Sequence, residues 1–111
     1  MIAEPALRVR LVRAHFHDSE KQGREETGYA FFIEDIGHAA ERGGQAWLDI
    51  QSQWIDDLDA TQLTVMTLFQ YMVGNTDWSA LTGRPDDRCC HNVAVFGGKG
   101  KDLNSVVPFD F

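Results

Sequence analysis

Residues 60–73, Ala-Thr-Gln-Leu-Thr-Val-Met-Thr-Leu-Phe-Gln-Tyr-Met-Val, contain no glycine, no proline and no charged side chain. That stretch constrains the fold more than any other, because it favours a helix and needs a cover. Asp59 is a good N-cap, Gln62 follows three residues on, and Gly74 supplies the C-cap. Val65, Phe69 and Met72, flanked by Met66, Leu68 and Val73, make a broad apolar face. The helix is therefore expected to be largely buried.

Strands are expected on its N-terminal side. Residues 7–17 begin with period-2 alternation, the mark of a half-buried strand, and slip phase at Leu11-Val12. Asp18 to Thr27 is polar and contains Gly23, which suits a solvent loop. Residues 28–34 are aromatic and β-branched and read as a second strand, so the pair predicts an antiparallel hairpin with a long tip. Ile36 to Arg42 is a short helix stopped by Gly43-Gly44. Residues 46–58 place Trp47, Ile50, Trp54 and Leu58 at helical spacing, and equally suit a loop with buried tryptophans. Trp47, Trp54 and Trp78 are expected to fill the core. Beyond the long helix, Gly74 to Cys90 is irregular, His91 to Phe96 predicts a strand, Gly97 to Asp102 a turn, and Val106 to Phe111 a final strand. The fold class is α+β.

Composition removes several functions. The chain has 111 residues, enough for one domain and hardly two. Its 17 Asp and Glu against 10 Lys and Arg give a net charge of -7, which repels nucleic-acid phosphates and anionic lipid. No apolar run reaches the ~18 residues of a membrane span. Met1 to Pro5 lacks the basic and apolar regions of a signal peptide. A cytoplasmic protein is expected, with no nucleic-acid or membrane partner. Cys89 and Cys90 are adjacent, and neighbouring residues bridge only in strained geometry, so reduced thiols are expected. Zinc through Cys89, Cys90 and His91 with His15, His17 or His38 fits poorly, since structural zinc uses spaced ligand pairs.

Three polar residues stand at the ends of apolar elements. Asp77 follows the long helix in Gly74-Asn75-Thr76-Asp77-Trp78-Ser79, Asn92 opens the next strand, and Asp110 lies in Val107-Pro108-Phe109-Asp110-Phe111. Singly, each suits a turn, a cap or a surface. Together, two carboxylates and an amide oxygen are what phosphoryl transfer uses to orient a hydroxyl and hold divalent metal.

In these segments, with Phe69-Gln70-Tyr71-Met72-Val73 ahead of Gly74 and His91-Asn92-Val93, the chain resembles the atypical protein-kinase-like family. The HipA-like and spore-coat CotH-like kinases and uncharacterised relatives are the nearest in kind. The resemblance covers nearly the whole chain and implies the central portion of such a fold, with 7–35 as hairpin and interlobe hinge and 36–111 as part of the larger lobe. It implies Asp77 as the catalytic carboxylate, Asn92 and Asp110 as metal ligands, and Phe32, Ile33, Glu34 and Asp35 as the nucleotide-binding hinge, with Tyr29 and Phe31 packed inward. The implied cofactors are ATP and Mg²⁺, and the implied substrate is a hydroxyl group of a protein or small molecule. The family's nucleotide-binding lysine belongs on a strand ahead of these two, and neither 7–17 nor 28–34 holds a lysine. A partial domain, inactive alone and prone to self-association through exposed edges, is therefore expected. The alternative is a non-catalytic remnant or small interaction module.

Overall fold

The computed structural model describes residues 6–20, 23, 25–98, 100 and 102–110. Met1 to Pro5, Lys21, Gln22, Arg24, Lys99, Lys101 and Phe111 lie outside them. So do the expectations resting on those residues, namely the leader reading, parts of two turns and the last residue of the final strand.

The described residues form a small α+β fold with two antiparallel sheets and two helices. The first sheet is a two-stranded ribbon of β1 (Val9–His17) and β2 (Glu25–Ile33). Pairing runs without slip from Val9 opposite Ile33 to His17 opposite Glu25, so the phase change at Leu11-Val12 is not a bulge. The strand instead carries apolar residues on both faces. The polar stretch contributes Glu25 to Thr27 to β2, which shortens the expected tip.

The second sheet holds the core. Its order is β3 (Ala46–Trp47), β4 (Val93–Gly97) and β5 (Ser105–Pro108), with β4 central and wholly buried. Alternation divides β4 between two layers. Val93 and Val95 pack with Leu58, Met66, Ala80 and Val106 on one side. Ala94 and Phe96 pack with Ala39, Ala40 and Val107 on the other. The helix α1 (Ile36–Arg42) covers the second layer, and α2 (Ala60–Val73) lies against β5.

Both helices begin and end where their signals stand. Asp35 caps α1 by accepting from the His38 N–H at 3.0 Å, and Asp59 caps α2 by accepting from the Gln62 N–H at 2.9 Å. Gly74 closes α2 in the left-handed region at φ 70°, a conformation that costs glycine little.

Burial of α2 is the main correction. Only Met66 and Gln70 are buried in it, Phe69 is 39% exposed, and Tyr71 and Met72 are open to solvent. Its apolar residues spread around more of the circumference than β5 alone can cover. Residues 46–58 correct the helical option as well. Leu48 donates to Val95, Gln53 to Leu81, and the following Asp59 to Asn104, so apart from one tight turn near Ile55 their backbone bonds go to distant strands and loops. Apart from β3, only a 3₁₀ turn at Ile55–Asp57 is regular there. Trp54, 81% exposed, and Trp47, 55% exposed, do not fill the core, whereas Trp78 packs against the Met66 layer. The Cys89 and Cys90 sulfurs are bonded to each other across a cis peptide that holds their Cα atoms 3.0 Å apart, in place of two free thiols.

Phe96→Ala should therefore cost about 3–5 kcal/mol of stability. Phe69→Ala should cost less than about 2 kcal/mol, since much of its ring stays in water. Denaturant unfolding of both variants measures the contrast, and equal losses would show that α2 is more deeply buried than this.

Candidate functional site

The pairing of β4 with β5 puts the start of one strand beside the end of the other. Val93 lies opposite Pro108, and just outside that pair the Phe109 N–H donates to the Asn92 carbonyl at 3.2 Å. Asn92 and Asp110 thus belong to one end of the sheet. Asn92 sits at φ 57°, in the left-handed region where asparagine is several-fold enriched over bulkier residues.

Asp77 reaches the same place from the end of α2. The Asn92 Nδ2 donates to the Asp77 carbonyl at 2.7 Å. That acceptor is a carbonyl, so the amide must present nitrogen to it, which leaves Oδ1 as the oxygen a cation would take. Asn75 holds the other side of the Asp77 peptide. Its Oδ1 accepts from the Asp77 N–H at 2.9 Å, closing an Asx turn. Its Nδ2 donates to the buried Gln70 Oε1 at 3.0 Å and, at a long 3.5 Å, to the Asp110 carbonyl. Asp77, Asn92 and Asp110 are thus brought into one neighbourhood, tied through backbone groups.

The Asp77 carboxylate has partners of its own. Arg84 Nη2 lies 3.1 Å from its Oδ2, and His91 Nε2 lies 3.0 Å from its Oδ1. His91 is placed by a two-way backbone bridge with Ser79 at 3.0 and 3.1 Å. Arg84 and Asp77 are well exposed, with side chains 62% and 66% open, so that ion pair contributes between zero and about 1 kcal/mol and yields readily to a competitor. Local sequence gave no sign of the Arg84 and His91 contacts, which a loop and a strand bridge bring about. A turn at this place was legible in Gly-Asn-Thr-Asp, but the side chain that closes it is that of Asn75 and not of Asp77.

The hinge segment does structural work. Glu34 takes the Arg42 guanidinium in two bonds, Nε to Oε1 at 3.0 Å and Nη2 to Oε2 at 2.9 Å, and also accepts the Arg8 N–H at 3.0 Å. Arg42 Nη2 further donates to the Ala6 carbonyl at 2.8 Å. The Glu34 N–H goes to the Arg8 carbonyl at 2.9 Å, and Asp35 is spent on capping α1. Phe32 lies exposed on the ribbon face opposite Ile33. Tyr29 and Phe31 are exposed and do not pack inward, because among the described residues no element covers that part of the ribbon.

Ile33 lines an apolar groove of about 680 Å³ between the ribbon and α2. Leu11, Phe31, Val65 and Phe69 form its walls, and Pro108 and Phe109 close the end next to Asp110. Among the described residues no three His, Cys, Asp or Glu side chains stand together as metal ligands, and no helix is long and apolar enough to cross a membrane. Compared with models of protein families, with curated proteins and with solved structures, the chain matches none.

Arg42 and then the Arg8 N–H hold the Glu34 carboxyl at about 2, down from an ordinary 4.5. A lowered folded value means the ion pair stabilises above pH 4.5 and loses its effect as pH falls through about 2. Acid unfolding followed across that window should show the slope, and Glu34→Gln should flatten it. An unchanged slope in that variant would place the acid sensitivity elsewhere.

Proposed function

We propose that this chain is the central part of an atypical kinase-like domain, performing ATP- and Mg²⁺-dependent phosphoryl transfer to a hydroxyl group when the domain is whole. One observation carries this reading. The backbones at Asp77, Asn92 and Asp110 come to one end of a sheet, and the amide of Asn92 is fixed by its nitrogen so that its oxygen is the free end. Carboxylate, amide and carboxylate are hard oxygen donors, which suit Mg²⁺ or Mn²⁺ completed by water and phosphate oxygens. The apolar groove supports the same reading, since its walls at Ile33 and Val65 suit a flat ring and its lining includes Phe109, the neighbour of Asp110. Asp77 would orient the substrate hydroxyl once Arg84 is displaced. A cytoplasmic setting suits such a protein.

Mn²⁺ titration followed by paramagnetic broadening tests it. Broadening should centre on Asp77, Asn92 and Asp110 and fade in Asp110→Asn, while Arg84→Ala should bind Mn²⁺ more tightly because a competing cation is gone. The family's nucleotide-binding lysine belongs on a strand ahead of β1 and β2, which hold none, so ATP should bind no tighter than roughly millimolar, near −4 kcal/mol. Broadening confined to His15 and His17 would sink the assignment.

A second reading, a small interaction module, is favoured by the ribbon itself. Among the described residues β1 and β2 pack on no other element, and Val9, Leu11, Phe16, Phe31 and Phe32 are exposed along them. Two strands alone are marginal in water, and unpaired apolar edges invite a further strand. Sedimentation velocity should then show mass rising with concentration, and Phe32→Ser should lower it. A monomer at all concentrations would count against this module.

A further inference from the structure

We propose that Asn75 is a positioning residue that sets where Asp110 stands relative to Asp77; its importance for chemistry, though not for geometry, rests on the phosphoryl-transfer reading. Three of the four hydrogen-bonding positions of its amide are used, and each goes to a different part of the chain. Oδ1 takes the Asp77 N–H, one Nδ2 hydrogen goes to Gln70, and the other points to the Asp110 carbonyl. Asn92 completes the arrangement from the opposite side, with its Nδ2 on the Asp77 carbonyl and its own carbonyl on the Phe109 N–H. The Asp77 peptide is therefore clamped at both its N–H and its carbonyl. The strand end at Phe109-Asp110 is clamped by the same two asparagines.

Gln70 makes Asn75 rigid. It is fully buried near the end of α2, and its Oε1 is held by Asn75 while its Nε2 has no partner among the described residues. An amide placed there against the desolvation cost of an unpaired N–H marks a position where a fixed acceptor is worth keeping. The helix end thus passes its rigidity to Asn75 and, through it, to both aspartate-bearing segments. Neither Asn75 nor Gln70 offers its own atoms to a ligand in this arrangement. They act through Asp77 and Asp110, and partners of this kind commonly change metal affinity by about 10–100-fold.

Asn75→Ser separates this role from simple turn formation. Serine keeps an acceptor for the Asp77 N–H but is too short to reach Gln70 or Asp110. Because this leaves a buried amide without a partner, the double variant Gln70→Met/Asn75→Ser is measured beside it. The readout is amide hydrogen exchange of the whole chain by NMR. Exchange at Phe109, whose own bond to the Asn92 carbonyl stays in place, should quicken about threefold or more in both variants as the strand end loses its tie to Asn75, while Val95 at the core keeps its protection. Unchanged exchange at Phe109 in the double variant overturns the proposal. The Mn²⁺ midpoint, read on the same samples, should rise about tenfold or more if the carboxylates share an ion. If the unaltered chain shows no broadening at Asp77 and Asp110 while Phe109 still loosens, the phosphoryl-transfer reading fails and the positioning role stands.

Discussion

The pairing of β4 with β5, buried on both faces, is the constraint from which the rest follows. Val93 and Val95 need one apolar layer and Ala94 and Phe96 another, so the chain must supply a cover on each side. The cover for Ala94 and Phe96 comes from α1, and the other comes from α2 together with the segment around Leu58 and Ala80. The strands' register leaves little choice at their open end. With Val93 opposite Pro108, Asn92 and Asp110 arrive at the same edge without any interaction between their side chains. Hydrophobic burial places the polar residues, and the two asparagines then refine the placement.

The ribbon is attached differently. Its link to the core is polar, through Glu34, Arg42, the Arg8 N–H and the Ala6 carbonyl, with Leu7 packed against the Phe96 layer. Glu34 and Arg42 are only 17% and 20% exposed, and planar guanidinium on carboxylate fixes direction as well as distance. That junction holds β1 and β2 away from α2 at a spacing that leaves the groove open. The segment expected to serve as an adenine hinge is thus the mechanical joint of the molecule.

Charge around Asp77 is balanced at the surface. Asp77 is paired with a solvent-exposed arginine and a mostly covered histidine, so its carboxylate is satisfied but not sealed. The ion pair with Arg84 is a weak, solvent-screened one and not a buried one. The loop from Ala80 to Cys90, which separates Asp77 from Asn92 in sequence, supplies Arg84 and brings His91 back by the bridge to Ser79. Separation along the chain therefore does not separate the two residues in space.

The sequence determined what lies within a few residues of its own signals. Asp35 and Asp59 start the helices, Gly43 and Gly74 follow their last residues, and alternation with β-branched residues marks the strands, because capping and pleating act locally. The nearness of Asp77, Asn92 and Asp110 was legible only as an order of elements, which a hairpin pairing turned into a place. Whether an apolar surface is covered was not legible at all. Phe69, Met72, Trp47 and Trp54 look like core in the sequence and stand partly or largely in water. The same holds for the partners of Asp77 and for the joined sulfurs of Cys89 and Cys90. Burial and pairing depend on what distant segments arrive alongside, and only the tertiary structure decides which of them do.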